Sequence, residues 1–178
     1  MKPSIFGPLL VLLIVFSSCS KFAYDDGPAY GEGLNTWTFY DGNRYYSGNI
    51  AVSAVLDTTL QANNTYTLAM TGTERITGQL FTTALALADL NFTVKSYQSG
   101  VNGSDHTTAM YFSASAASRQ SIYSSTNNDP GAVMMYRITH YDVVRDVVTI
   151  SFSGNVHDEL GNMVNISRGK ITVHITRQ

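Results

Sequence analysis

Apolar residues recur at every second position over much of the chain, and this alternation predicts β-strands. The first such segment, Thr36-Trp-Thr-Phe-Tyr40, is followed by a turn at Asp41-Gly42-Asn43 and then by Arg44-Tyr-Tyr-Ser47. An Asp-Gly pair between two alternating aromatic segments is a strong signal for a β-hairpin. This hairpin therefore opens the folded domain, and we expect Trp37 and Phe39, which share one face, to enter the core.

The same alternation continues to the end of the chain. Val148, Ile150 and Phe152 show it most clearly, because Thr and Ser separate them. The other alternating sets are Ile50/Val52/Ala54, Tyr66/Leu68/Met70, Leu85/Leu87, Phe92/Val94, Met110/Phe112, Met134/Tyr136/Ile138, Val164/Ile166 and Ile171/Val173/Ile175. A period of two places one face in the core and the other in water, as is typical of antiparallel sheets. Helical periodicity is absent, and Ala114 to Ser121 fits a short helix or a loop equally well.

The number of strands limits the fold class. About nine or ten short strands in about 145 residues predict an all-β domain, either a β-sandwich or a closed β-barrel. We favour an antiparallel β-sandwich, because a ligand-holding barrel usually has longer and more regular strands. The closed barrel is the alternative. Arg168-Gly169 interrupts the last apolar pattern by one step, so it marks a bulge or a tight turn.

An apolar segment near the N-terminus predicts export. Lys2 precedes the run from Leu9 to Phe16, and Ser17-Ser18 leads from that run to Cys19, the sole cysteine. The run is too short to span a bilayer, which takes about 20 residues, so we interpret it as a targeting segment. Cys19 lies where a lipobox cysteine receives diacylglycerol on its thiol before a peptidase cuts in front of it.

An ordinary signal peptide that happens to contain a cysteine is the alternative. The usual small-x-small cleavage pattern is weak here, which favours lipidation, although Phe16 stands where a lipobox more often has Leu. We predict a lipoprotein signal peptide over residues 1–18, a lipidated Cys19 with a flexible tether over 19–34, and one β-domain over 35–178. Two or more acyl chains would anchor such a domain stably to a membrane.

Composition narrows the classes of function. The chain carries 11 basic and 13 acidic residues, for a formal charge of −2, and it has no run of basic residues. This balance argues against nucleic-acid binding. With Cys19 lipidated, no thiol is left for a disulfide, a nucleophile or a zinc site. Thr, Ser, Asn, Gly and Tyr replace charged residues, as suits an extracytoplasmic β-protein.

The sequence holds no recognisable catalytic or metal-binding motif. It lacks a Gly-x-Ser-x-Gly elbow, and its four histidines, His106, His140, His157 and His174, lack metal-ligand spacing. Asp158-Glu159 is interpreted as a solvated turn, because adjacent strand residues point to opposite faces and make a poor glycosidase pair. Asn127-Asn-Asp129 fits a turn better than a calcium loop. We therefore expect a non-enzymatic protein that needs no metal or cofactor.

Tyrosines cluster around the first hairpin. Tyr40, Tyr45 and Tyr46 are candidates for stacking on sugar rings, and parity along the chain predicts that Tyr40 and Tyr46 face outward. The interpretation that we favour is structural: tyrosines cap the edge of a half-buried sheet, with the ring inside and the hydroxyl in water.

Asp57-Thr58-Thr59 is a candidate modification site. It resembles the Asp-Ser/Thr site at which Bacteroidota O-glycosylate exported proteins, with a loose fit at the third position. Thr58 is therefore a candidate for O-glycosylation, and its position between two predicted strands on an exported chain supports that interpretation.

The lipobox, the Trp-x-Phe-x-Asp-Gly-x-x-Tyr hairpin and the closing segments 148–154 and 161–173 together resemble an uncharacterised group of small β-rich lipoproteins from Bacteroidota. The resemblance covers most of residues 36–176, and its motifs are strand and turn patterns. It implies a β-rich fold anchored by lipid to the outer membrane, on the periplasmic side or at the cell surface. It implies no activity.

The sequence thus predicts a lipid-anchored, non-catalytic module that binds an envelope component, a glycan or a protein. The second hypothesis is a lipocalin-like barrel that carries a small apolar ligand in an internal cavity. The third is a hydrolase whose site converges only in three dimensions. A core filled by side chains such as Trp37, Phe39 and Phe152 would argue against the second hypothesis.

Overall fold

The computed structural model of the chain describes residues 33–51, 53–61, 64–92, 96–99, 109–114, 121–126, 129 and 131–178. The predicted signal peptide, Cys19 and the tether up to residue 32 lie outside the described residues. So do His106, Asn127-Asn128 and most of the segment from Ala114 to Ser121, for which a helix or a loop was expected.

The described residues form eleven β-strands and no helix, which confirms the all-β fold class. The strands are β1 (Thr36–Tyr40), β2 (Tyr45–Ile50), β3 (Ala54–Asp57), β4 (Tyr66–Glu74), β5 (Leu80–Leu87), β6 (Ser96–Gln98), β7 (Ala109–Ser113), β8 (Ser121–Ser125), β9 (Met134–Asp142), β10 (Val147–Asp158) and β11 (Met163–Arg177). Within the described part of the chain, no helix is long and apolar enough to cross a membrane.

Eight strands close into an antiparallel barrel in the ring order β1, β2, β4, β5, β7, β8, β10, β11. Two short strand pairings, which we call seams, complete the ring. One runs between β2 and β4 from Gly48 to Ile50, and the other joins β10 to β8 at His157 and Asp158. Of the remaining strands, β3 lies between β11 and β4, whereas β9 and β6 extend outward from β10.

The preferred prediction of a β-sandwich is therefore wrong, and the closed barrel is confirmed. The strands were expected to be short, but β10 has 12 residues and β11 has 15. A bulge between Phe152 and Gly154 lets both strands continue through the irregularity at Arg168-Gly169. A classic bulge bends the strand and increases its twist, which helps a sheet to close on itself.

Aromatic rings fill the barrel interior. Trp37 stacks on Phe81 with ring centroids 4.5 Å apart, and Phe152 lies between Phe81 and Tyr136 at 6.1 Å and 5.6 Å. Trp37, Phe81 and Phe152 belong to three strands that are not neighbours, so their rings connect the walls through the centre. Trp37 and Phe39 are fully buried, which confirms that this face of the first hairpin enters the core.

Two glycines let the β2–β4 seam close against Trp37. A Cβ on Gly48 would lie 2.7 Å from Cε2 of the indole, and a Cβ on Gly72 would lie 2.8 Å from its Nε1. Either Cβ would also collide with the carbonyl oxygen of the neighbouring strand, at Thr73 or Asn49 respectively. The absence of side chains at these two positions therefore lets a large indole lie directly under the seam.

The barrel has two ends, which we distinguish by the segments they carry. The far end carries the β1–β2 turn (residues 41–44), the β4–β5 turn (75–79) and the β10–β11 turn (159–162). The entry end carries residues 33–35, the segment 58–61 and the β9–β10 turn (143–146). Hydrogen bonds join these three segments to the end of β11: His174 N to Asn35 Oδ1 at 2.9 Å, Ile175 N to Asp146 O at 2.8 Å, and Thr58 N to Gln178 O at 3.0 Å.

Candidate functional site

The outer face of the barrel carries a row of polar side chains that crosses six neighbouring strands. In order from β6 through β9, β10, β11 and β1 to β2, the row consists of Ser96, Arg137, Ser151, Lys170, Thr38 and Ser47. Adjacent strands lie about 4.8 Å apart, so the row extends for about 24 Å. None of its members is acidic.

A groove of about 390 Å³ opens on this outer face. Its lining residues are Ser96, Met135, Tyr136, Arg137, Ser151, Phe152, Ser153, Arg168 and Gly169. Tyr136, Phe152 and Gly169 are buried, so the open lining combines the serine hydroxyls and the guanidinium groups with the exposed apolar side chain of Met135. The size of the groove suits one or two sugar rings or a group of similar bulk.

Three cations surround this groove, which we call the cationic groove. Arg137 and Arg168 line it, and Lys170 stands one strand away from Ser151 in the polar row. All three side chains are exposed. No carboxylate is among the described residues that line the groove. The arrangement can bind an anionic group through charge-assisted hydrogen bonds and bind neutral hydroxyls through the serines.

Two of the three tyrosines that were candidates for stacking on sugars border the groove. The rings of Tyr40 and Tyr45 lie 4.8 Å apart at an angle of 36°, and Arg168 Nη1 donates a 2.5 Å hydrogen bond to the Tyr45 hydroxyl. Arg168 Cζ also lies 5.9 Å and 6.0 Å from the two ring centroids, which is within cation–π range. Tyr45 is 38% exposed, so part of its ring is open to a ligand.

Tyr46 does not belong to this surface, and the prediction that it faces outward is wrong. It is 7% exposed and stacks on Phe39 inside the barrel at 4.8 Å. The reason is that Tyr46 pairs directly with Phe39 across the hairpin. Residues that are opposite in an antiparallel pair share a face, whatever their parity along the chain.

Tyr46 instead joins a buried polar cluster around Asp41 at the far end. The Asp41 carboxylate accepts four hydrogen bonds, from the N–H groups of Asn43 and Arg44 and from the hydroxyls of Tyr46 and Tyr123. Burial raises the pKa of the Asp41 carboxyl, but these bonds outweigh burial and hold the pKa below its ordinary value. Burial and the neighbouring Tyr46 and Asp41 raise the pKa of Tyr123. The cluster closes the far end of the barrel.

Glu74 has a similar role at the β4–β5 turn, although the sequence did not identify it as a candidate. Its Oε2 accepts hydrogen bonds from the N–H of Ile76 at 2.9 Å and from the N–H and hydroxyl of Thr77. Burial opposes ionisation, but these bonds lower the pKa of the Glu74 carboxyl. Asp41 and Glu74 therefore hold turns, and neither is left free to act as an acid or a base.

His157 and its acidic neighbours also serve the far-end turns. His157 Nε2 lies 2.8 Å from Asp129 Oδ2, and its Nδ1 lies 3.2 Å from the carbonyl oxygen of Gly161. Both ring nitrogens are thus engaged. Asp158 accepts hydrogen bonds from the N–H groups of Leu160 and Asn162, as the prediction of a turn requires. Among the described residues, no three His, Cys, Asp or Glu side chains are grouped closely enough to hold a metal ion.

Thr58 lies at the entry end. Its side chain is exposed, and its hydroxyl donates a 2.5 Å hydrogen bond to the Gln178 carbonyl oxygen. Asp57 accepts a hydrogen bond from the N–H of Thr59, so the candidate glycosylation motif forms a short Asx turn directly after β3. The exposed position leaves Thr58 accessible to a modifying enzyme.

Sequence reasoning missed the cationic groove because its residues are far apart along the chain. Arg137, Arg168 and Lys170 come from β9 and β11, and only strand register brings them to one surface. A signal was present for Arg137 and Lys170, because each stands between two buried residues of its strand, whereas Arg168 lies at the irregularity of β11. Comparison of the chain with models of known protein families, with curated proteins and with solved structures finds no match.

Proposed function

We propose that this protein is a lipid-anchored, non-catalytic module of the cell envelope whose outer barrel face binds an anionic glycan. The ligand class is a saccharide that carries carboxylate, phosphate or sulfate groups. The observation that carries the proposal is the cationic groove, which combines Arg137 and Arg168 with the hydroxyls of Ser151 and Ser153.

Each part of the groove matches one feature of such a ligand. The guanidinium groups of Arg137 and Arg168 suit carboxylate, phosphate or sulfate oxygens because they present several N–H donors in one plane. Serine hydroxyls both donate to and accept from sugar hydroxyls. The half-exposed ring of Tyr45 offers an apolar face against which a sugar ring can pack.

A glycan ligand also agrees with the charge along the polar row. Lys170 and Arg137 flank Ser151, about 5 Å away on either side, so an extended anionic chain that crosses the strands would meet two cations. Thr38, the next member of the row, is buried, so the part of the row that a saccharide can follow runs from Ser96 to Lys170.

The two other hypotheses have less support from the described residues. A barrel fold is compatible with a lipocalin-like carrier, but the interior seen here is filled by Trp37, Phe39, Phe81 and Phe152. Packing of this kind favours the outer face as the binding surface. A hydrolase has less support because Asp158 and His157 are both hydrogen-bonded within the β10–β11 turn.

The test is a binding measurement with three soluble polymers of matched length: dextran sulfate, neutral dextran and polyglutamate. We expect dextran sulfate to bind, and to bind more tightly than polyglutamate, because only the sulfated polymer offers both anions and sugar rings. A double variant, Arg137→Gln with Lys170→Gln, should weaken binding about tenfold, the effect of losing about 1.4 kcal/mol.

Arg145→Gln is the matched control, because Arg145 is an exposed arginine at the entry end, outside the groove. The control should bind like the wild type. Equal affinity for dextran sulfate and polyglutamate would show that the site binds polyanions in general and does not recognise sugar rings. An equal loss of affinity in the control and in the double variant would show that the groove is not the binding site.

The anchor and the location need a separate experiment. Cys19→Ala should release the tagged protein from the membrane fraction, whereas the wild type should stay bound. Protease treatment of intact cells then distinguishes the two faces of the outer membrane: cleavage of the wild-type protein indicates the cell surface, and protection indicates the periplasmic side. Retention of the Cys19→Ala variant in the membrane fraction would contradict lipid anchoring.

A further inference from the structure

We infer that the β9–β10 turn at the entry end lies against the lipid bilayer and inserts its two apolar side chains, Val143 and Val144, into the membrane interface. This inference rests on the proposed lipid anchor and concerns a different surface from the cationic groove. It assigns the entry end to the membrane and leaves the outer face of the barrel open to a ligand.

The exposure of the turn is the first observation. Val143 is 73% exposed and Val144 is 92% exposed, in the turn that joins β9 to β10. Two more apolar side chains, Leu34 and Leu60, lie at the same end and are more than half exposed. Exposed apolar side chains that lie close together are unfavourable in water and mark a contact surface. The far end also carries two, Ile76 at 87% and Leu160 at 81%, so the path of the chain has to decide which end meets the membrane.

The turn is held in place, so the exposure does not come from a loosely packed loop. Asp142 accepts hydrogen bonds from the N–H groups of Val144 and Arg145, at 3.0 Å and 3.1 Å. At its base, Asp146 accepts hydrogen bonds from the hydroxyl of Tyr141 and from the guanidinium of Arg177. The backbone therefore presents the two valines outward in a fixed geometry.

The place where the chain enters the domain identifies the occupant as a membrane. The described chain begins at Gly33, and Asn35 is hydrogen-bonded to His174 beside the β9–β10 turn. Thirteen residues lie between Cys19 and Gly33 in the sequence. A flexible chain of that length has a root-mean-square span of about 20 Å. A lipid on Cys19 would therefore hold this end nearer to the bilayer than the far end.

The composition of the tip suits the interface between lipid tails and headgroups. Arg145 follows the two valines, and its side chain is 81% exposed, with Asp142 only at 3.8 Å. Apolar side chains beside a cation are typical of segments that rest in the interface of a membrane with anionic lipids. Because the tether already brings the turn to the surface, weak insertion suffices to orient the domain.

The experiment places an environment-sensitive, thiol-reactive dye at the tip. Val144→Cys gives the full chain a single free thiol once Cys19 is lipidated, and Ile76→Cys gives the matched control. Ile76 is 87% exposed in the β4–β5 turn, at the far end. Each protein is purified in its lipidated form and reconstituted into vesicles of phosphatidylethanolamine and phosphatidylglycerol.

We expect the dye at position 144 to shift its emission to the blue and to lose most of its quenching by iodide when the protein is on vesicles. The dye at position 76 should keep its emission and quenching. Leu60→Cys provides a second reporter at the entry end, in case the dye disturbs the turn, and it should follow position 144.

Flotation of the vesicles separates the two proposals. Protein that floats with position 144 protected supports the inference. Protein that floats with positions 144 and 60 as exposed as position 76 overturns the inference and leaves the anchor intact. Protein that fails to float contradicts the lipid anchor, and the inference that rests on it then fails with it.

Discussion

The Tyr123 hydroxyl donates a 2.7 Å hydrogen bond to the Asp41 carboxylate, and this bond joins β8 to the β1–β2 turn across the far end of the barrel. The two residues are 82 positions apart in the sequence. Tyr46 donates to the same carboxylate oxygen at 3.1 Å, so a single buried acid connects three segments of the wall. Closure at this end depends on a polar group as well as on the aromatic core.

Tyr123→Phe should destabilise the fold, because it removes one donor from a buried carboxylate. We expect a loss of about 1–3 kcal/mol in the free energy of unfolding, the range for a hydrogen bond to a charged, buried group. Denaturant titration measures the loss. Tyr111→Phe is the control, since Tyr111 is 41% exposed on β7. Equal losses of unfolding free energy in the two variants would show that the hydrogen bond to Asp41 stabilises the fold no more than an exposed tyrosine hydroxyl does.

Stability should fall in acid, and Asp41 should account for part of the fall. Its pKa lies below the ordinary value of 3.8, so the folded state favours the ionised carboxyl. This contribution is complete above the unfolded-chain pKa and is lost as pH drops through the lower, folded-state pKa. The free energy of unfolding should therefore decline below about pH 4. The decline should be shallower in Asp41→Asn, and an unchanged slope would contradict this assignment.

Gly72→Ala should open the β2–β4 seam. The new Cβ would press on Trp37 Nε1 and on the Asn49 carbonyl oxygen, which we expect to cost about 3 kcal/mol through overpacking. Trp37 is the only tryptophan, so its fluorescence reports the change directly.

Gly78→Ala is the comparison for the seam. Its φ of +70° makes alanine unfavourable there, but open space surrounds the position, so we expect a loss of about 1 kcal/mol. The emission of Trp37 should change in the Gly72 variant and stay constant in the Gly78 variant. A Gly72 variant with native emission would show that the seam tolerates a side chain.

Tyr45 should contribute to glycan binding through its ring rather than its hydroxyl. Tyr45→Ala is expected to weaken binding of dextran sulfate by about three- to tenfold, the worth of one aromatic contact. Tyr45→Phe keeps the ring and loses only the bond from Arg168, so its affinity should stay close to that of the wild type. Tyr111→Ala, at a comparably exposed ring on another wall, should have no effect. A Phe variant as weak as the Ala variant would assign the role to the hydroxyl.

Two arginines at the entry end should differ in their contribution to stability. Arg177 donates two hydrogen bonds to Asp146 and one to Tyr141, whereas Arg145 lies 3.8 Å from Asp142 with its side chain exposed. Arg177→Gln should cost about 1 kcal/mol, at the upper limit for partly exposed ion pairs, and Arg145→Gln close to nothing. Thermal unfolding of both variants in parallel measures the difference. Equal costs would show that the Arg177 network is not stabilising.

Local patterns predicted the strands and much of the core. Val148, Ile150 and Phe152 are buried as their alternation indicates, and Trp37 and Phe39 enter the interior. The period of two identifies such faces because it depends only on neighbours in one strand. It carries no information on pairing between distant strands, so it could not show that β8 meets β10 at His157 or that β2 meets β4 at Gly48.

The candidate site was predicted only in part for the same reason. Tyr40 and Tyr45 lie together on the outside, as their closeness in the sequence suggests. Arg137 and Lys170 become neighbours of Ser151 only through register. The face that Tyr46 occupies follows from the length of the turn, which sets Tyr46 opposite Phe39. The near-balanced charge of the whole chain therefore did not predict the cationic surface, which forms only when the strands pair.

The pairing of β1 with β11 sets the order in which the barrel can form. Thr36 pairs with Thr172, so the first wall strand of the domain has no neighbour on one side until the end of the chain is available. Contacts of such long range make folding slow, because a long loop must be closed before they form. For a chain proposed to be exported, the consequence is that the barrel cannot close before its last strand, β11, is available to pair with β1.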